Sequence, residues 1–133
     1  MAGQMFVNLA VSNLNDSIKF FRELGFTFNP QFTDENAACM VIGDSNFAML
    51  LKTDFFKTFT KKQLVDAKLS TEAIIALSQD SKEKVDEIFT KAINAGAKEA
   101  RATEDHGFMY GKSIEDLDGH IWEFFWMDPK HVK

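Results

Sequence analysis

The chain has 133 residues, 45% hydrophobic and 26% charged, enough for one soluble domain with a single core and short for two independent ones. Its net charge of −5 and pI near 5.1 disfavour a phosphate-binding surface, so nucleic acid is not an expected partner. No run approaches the ~18 apolar residues of a membrane span, and Met1-Ala2-Gly3-Gln4 lacks the basic start of a secretory signal, so the expectation is a cytoplasmic protein with no membrane partner. Cys39 stands alone, which excludes an intramolecular disulfide and a cysteine metal cluster. The 14 Phe serve either as core filler or as the walls of a pocket for a flat or apolar ligand.

In chain order, Met5 to Val11 reads as a strand with Asn8 as its one polar interruption. Asn13 caps a helix carrying Leu14, Ile18, Phe21 and Leu24 at near-helical spacing, and Gly25 stops it. Phe26 to Phe28 is a short strand ended by Asn29-Pro30. Ala37 to Ile42 and Phe47 to Leu51 form a pair across Gly43-Asp44-Ser45-Asn46. The first half therefore reads βαβββ.

Residues 52–69 differ in composition, with lysines interleaved among Phe55, Phe56 and Phe59. The three Phe share a helical face, which fits either a connector covering the core or a lid over a binding site. Beyond it, Ala73 to Leu77 is a strand, Asp80 and Glu83 resemble a capping box, and Val85, Ile88, Phe89 and Ala92 mark a helix ended by Gly96. Lys98 to Arg101, Gly107 to Ser113 and His120 to Met127 supply three strands. The last two are joined by a tight turn in which Asp118 and Gly119 both take positive φ. The second half repeats βαβββ, with module one at about 4–51, a connector at about 52–70 and module two at about 71–128 of a single domain.

In the final strand, alternation puts Ile121, Glu123, Phe125 and Met127 on one face and His120, Trp122, Phe124 and Trp126 on the other. A buried, ionised and unpaired carboxylate in so apolar a run costs roughly several kcal/mol, so Glu123 should meet a cavity, a metal, a hydrogen-bond donor or a shared proton. Tyr110, Lys112 and Asn8 are the expected partners if it is merely satisfied.

The run Val11-Ser12-Asn13-Leu14, followed by Ser17-Ile18-Lys19-Phe20-Phe21 and Leu24-Gly25-Phe26, together with the closing Asp116-Leu117-Asp118-Gly119-His120-Ile121-Trp122-Glu123, resembles the vicinal oxygen chelate superfamily. This is the group of glyoxalases, bleomycin-resistance proteins and extradiol dioxygenases. The resemblance spans Met5 to Met127 and implies an α+β fold in which two βαβββ modules form a cupped, mixed-sheet half-barrel pair. It also implies four strand-borne ligands for a divalent metal in the metalloenzymes. Here the first falls at Phe6, with Asn8 facing the same way, the second near Met49 or Leu50, and the third at about Ile74, with Glu72 as a same-face substitute. Only the fourth, Glu123, is a ligand type. No metal and no other cofactor is therefore expected.

Three functions follow from this resemblance. The first is a bleomycin-resistance-like binding protein holding a small apolar or aromatic molecule against Phe6, Asn8, Phe47, Met49, His106, Phe108, Tyr110 and Phe125, with Trp122 as a further lining residue. The second is a metal-independent lyase or isomerase using Glu123 as acid or base, its carboxyl tuned by aromatic surroundings. The third is a glyoxalase- or dioxygenase-like metalloenzyme with a rearranged ligand set. Exposed strand edges favour a homodimer, and closure of the cup within one chain or across two stays open.

Overall fold

The computed structural model describes residues 3–131. Contacts group the chain into two units divided between Leu64 and Val65. The first contains β1 (Met5–Val11), α1 (Leu14–Glu23), β2 (Thr27–Asn29), β3 (Ala37–Val41), β4 (Asn46–Lys52) and a short α2 (Thr53–Phe56). The second contains β5 (Ile74–Ser78), α3 (Lys82–Asn94), β6 (Lys98–Asp105), β7 (Met109–Glu115) and β8 (Ile121–Met127).

Each unit folds its strands into one four-stranded mixed sheet, ordered β1-β4-β3-β2 in the first and β5-β8-β7-β6 in the second. The opening strand runs parallel to the last, and the other pairings are antiparallel. This is the βαβββ order twice over, as the α+β reading expects.

Local chemistry sets the helices. Asn13 accepts from the Asp16 backbone N–H at 3.0 Å and caps α1. The helix ends at Gly25, whose φ of 106° is open to glycine at little strain. α1 buries Leu14, Phe20 and Phe21 in contact with β3 and β4, whose Ala38, Met40, Ala48 and Leu50 are fully buried. Each large apolar side chain so buried contributes roughly 1.5–3 kcal/mol. In the second unit the cap is Ser81, accepting from Lys84 N–H at 3.1 Å, not Asp80 as the sequence suggested. α3 packs on β7 and β8, and Ile114, Trp122 and Phe124 are fully buried.

Two strands differ from expectation. β6 runs to Asp105 rather than Arg101, because pairing with β7 continues past irregularities flanking Arg101 that erase its alternation. β7 starts two residues late, since Gly107, at φ 78°, is spent on the preceding turn.

The β7–β8 connection is also wider than a two-residue turn. Among the described residues only glycines take positive φ, so Asp118 does not. Gly119 (φ 90°) donates its N–H to the Asp116 carbonyl at 3.1 Å, and Asp116 N–H donates to the His120 carbonyl at 2.9 Å. The Asp116 carboxylate secures the loop, accepting from the Asp118 and His120 backbone N–H groups at 3.0 Å each and from Trp122 Nε1–H at 2.9 Å. Burial pushes its carboxyl above the usual range. Gly119 also faces the backbone of Ala67 and Lys68, which an added Cβ would meet at 2.7–2.9 Å. In the 52–69 stretch, Phe55 and Phe59 meet edge to face at 5.1 Å, yet Phe59 stays 61% exposed, so this ring does not cover the core.

Candidate functional site

Strand register decides which predicted residues share a face. In the first unit Phe6 pairs with Phe47 and Asn8 with Met49 across β1 and β4, so all four project to one side. Phe28 pairs with Met40 and lies under the Arg22 guanidinium of α1 at 5.5 Å, which marks the other side as the helix side. Phe6 and Phe47 stack with centroids 4.7 Å apart. Asn8 Nδ2 donates to the Phe6 carbonyl at 3.2 Å and so binds within its own strand. These four residues give the far face of the first sheet an uncharged surface on which Asn8 is the polar member.

In the second unit Tyr110 pairs with Trp126, Lys112 with Phe124 and Ile114 with Trp122. These residues lie on the α3 side: Tyr110 Oη donates to Asp86 Oδ1 at 2.5 Å, and Lys112 Nζ sits over the Phe89 ring at 4.7 Å. The hydrogen bond to Asp86 pushes the Tyr110 hydroxyl up to about 12. Tyr110 and Trp122 are thus on the sheet side opposite Phe125 and Glu123, which corrects their grouping with Phe125 as lining residues. A two-residue turn at Asp118-Gly119 would pair Tyr110 with Met127, whereas the wider loop, with Glu115 opposite Ile121, shifts the register by one residue and puts Tyr110 on the other face. Phe108 and His106 precede β7, where Phe108 stacks on His131 at 4.1 Å and on His106 at 6.2 Å.

The far face of the second sheet holds the charged group. Ala76, Glu123, Ser113 and Arg101 form one row across β5, β8, β7 and β6. The next row sets Ser78, Phe125, Gly111 and Glu104 side by side. Glu123 pairs with neither Tyr110, Lys112 nor Asn8. Its Oε2 accepts from Arg101 Nη2 and, at 3.4 Å, from Ser113 Oγ. The same Nη2 lies 2.5 Å from Glu104 Oε1, Arg101 Nε donates to Ser113 Oγ at 3.4 Å, and His106 Nε2 lies 3.4 Å from Glu104 Oε2. The bond with Glu123 pushes the Arg101 guanidinium further up. Arg101 and Glu104 escaped the sequence reading because β6 is a charged edge strand with no apolar period. The available signal was a lone arginine in a strand destined to neighbour the strand facing Glu123.

Residues 4–43 match the family described as bleomycin resistance protein-like N-terminal. No functionally curated protein matches the chain. Among solved structures, hypothetical protein SA1046 from S. aureus is 27% identical, with coverage of 95% of this chain and 94% of that one and a TM-score of 0.81. A glyoxalase/bleomycin resistance protein/dioxygenase family enzyme from Burkholderia phytofirmans PsJN shares the fold at 15% identity, TM-score 0.78 and coverage of 95% and 99%. So does the bleomycin resistance determinant encoded on transposon Tn5, at 18% identity, TM-score 0.65 and coverage of 96% and 99%. The family model covers 40 of the chain's 133 residues, and these solved structures share its fold.

The donor set does not fit the divalent ion that the sequence resemblance implies. The positions at which that resemblance places ligands hold Phe6, Met49 or Leu50, and Ile74, none of which offers a hard oxygen or imidazole. At the fourth, a guanidinium already holds one oxygen of Glu123. Among the described residues no three His, Cys, Asp or Glu are grouped to hold a metal ion.

Proposed function

We propose that this chain is a glyoxalase/bleomycin-resistance-like protein that has largely lost its metal site and binds a small apolar or aromatic molecule. The observation that carries this is the Arg101–Glu123 pair: the one carboxylate at a family ligand position already has a cationic partner. The stacked Phe6 and Phe47 with Met49, and Phe125 beside Glu123, supply aromatic and thioether surface on the far faces of the two sheets. No cofactor is required for binding of this kind, and a homodimer is the assembly in which we place it.

Glu123→Gln tests the reading in titrations against a panel of aromatic and thiol-conjugated small molecules. A binding protein loses affinity only for ligands that present a donor or cation, by roughly 1.5–3 kcal/mol. An acid/base enzyme keeps its affinity and loses turnover about a hundredfold or more, and that result would replace the binding reading with the metal-independent lyase or isomerase. Metal content is measured on both proteins. Stoichiometric metal in the parent that disappears in Glu123→Gln would overturn the loss of the metal site.

A further inference from the structure

The far face of the first sheet is graded in depth. Phe6, at 42% exposure, and the half-buried Phe47 and Met49 lead on to Leu51, which is 2% exposed on the same face of β4. Phe6 and Phe47 lie nearly parallel, their planes 14° apart. Because β1 is the edge strand, the Phe6 ring has Phe47 on one side and no further strand of this sheet on the other, so a third flat ring extends the stack. One polar side chain stands among these residues. Asn8 is exposed on the same strand and projects to the same face.

Among the described residues the Asn8 side chain makes a single hydrogen bond, from Nδ2 to the Phe6 carbonyl at 3.2 Å. A carbonyl only accepts, so it draws the NH2 end of the amide to itself and leaves Oδ1 presented outward. The geometry points to Asn8 as the specificity-determining residue of this face: its Oδ1 selects flat aromatic molecules that carry a neutral O–H or N–H donor, as a phenol or an indole does. This rests on the binding function proposed above and names the ligand class. Phe6, Asn8, Phe47 and Met49 are all uncharged, so an ammonium or a carboxylate gains no ion pair from them. A ring lying over Asn8 strips water from Oδ1. A donor on that ring replaces the lost bond, whereas a ring without one leaves the oxygen unsatisfied.

The test is isothermal titration calorimetry of the parent, Asn8→Leu, Asn8→Asp and Phe6→Leu with indole and with N-methylindole. Circular dichroism is recorded on each. The two probes share one ring system and differ in the N–H. The expected result is about fivefold tighter binding of indole by the parent, in line with one neutral hydrogen bond. Asn8→Leu should bind the two probes alike, and Asn8→Asp, which keeps an acceptor, should retain the preference for indole. Phe6→Leu should weaken both together and keep their ratio. A folded Asn8→Leu that holds the parent's preference overturns the inference and leaves the binding function intact, as does a parent that binds both probes equally. A parent that binds neither probe overturns function and inference together. Should Asn8→Leu fail to fold, Asn8→Ala is titrated in its place and judged by the same outcomes.

Discussion

The two units share one strand order and differ in what they place on the sheet face turned from the helix. The first presents a stacked pair, Phe6 and Phe47, with Asn8 and Met49. The second presents Arg101, Glu104 and Glu123 beside Phe125. Both helix sides carry fully buried apolar side chains, Met40 and Leu50 in one unit and Trp122 and Phe124 in the other. The helix sides of both units thus share one kind of packing, whereas the far faces differ in chemistry, although Cys39 and Leu51 on the first far face are buried as well.

The largest break in the comparison should come at equivalent-looking glycines. Gly25 and Gly119 both take positive φ, but an added Cβ at Gly25 meets nothing within 4 Å, whereas at Gly119 it meets the Lys68 backbone at 2.7 Å. Gly25→Ala should lose only the left-handed penalty of roughly 1–2 kcal/mol. Gly119→Val adds overlap with rigid backbone and should cost about 3 kcal/mol or more, or abolish folding. Urea unfolding of the two variants measures the gap, and equal losses would refute the close approach.

A smaller effect is expected at Asp116, which ties the β7–β8 loop to Trp122. Asp116→Ala removes the acceptor of the buried indole N–H and of two backbone N–H groups, for a loss of about 3 kcal/mol in the same assay. The first unit's β3–β4 loop uses only backbone bonds, Ile42 and Gly43 N–H to the Asn46 carbonyl. Asp44→Ala should therefore change stability by less than about 0.5 kcal/mol.

The smallest effect is a titration. Tyr110 is the chain's one tyrosine, so tyrosinate absorbance reports it alone. Its midpoint should lie at about 12 rather than 10, and Asp86→Asn should bring it back towards 10. For an acid whose folded value is raised, the linked stability is full below the unfolded value of 10 and is lost as pH rises through about 12. A parent midpoint near 10 would contradict the bond to Asp86.

Much of the fold could be read from spacing and caps. Asn13, Gly25 and Gly96 mark helix ends, and the alternation of Ile121, Glu123, Phe125 and Met127 fixes their face. The site was half legible for a physical reason. Phe6, Asn8, Phe47 and Met49 lie on regular strands, where parity gives the face directly. Arg101 meets Glu123 only through the register of β6 on β7, and the irregularities flanking Arg101 cannot be placed by counting residues. Tyr110 depends on register in the same way, since the wider β7–β8 loop moves it by one residue to the α3 side.

Strand order also bears on the order of assembly. In each unit the last three strands are sequential neighbours that close short loops, whereas the first strand pairs with the last across about forty residues of chain. Loop closure therefore favours an early antiparallel meander and late docking of β1 and β5. In the first unit the Phe6–Phe47 stack waits for that last step. In the second, Arg101, Ser113 and Glu123 all sit on the meander, so their ion pair is available before β5 arrives.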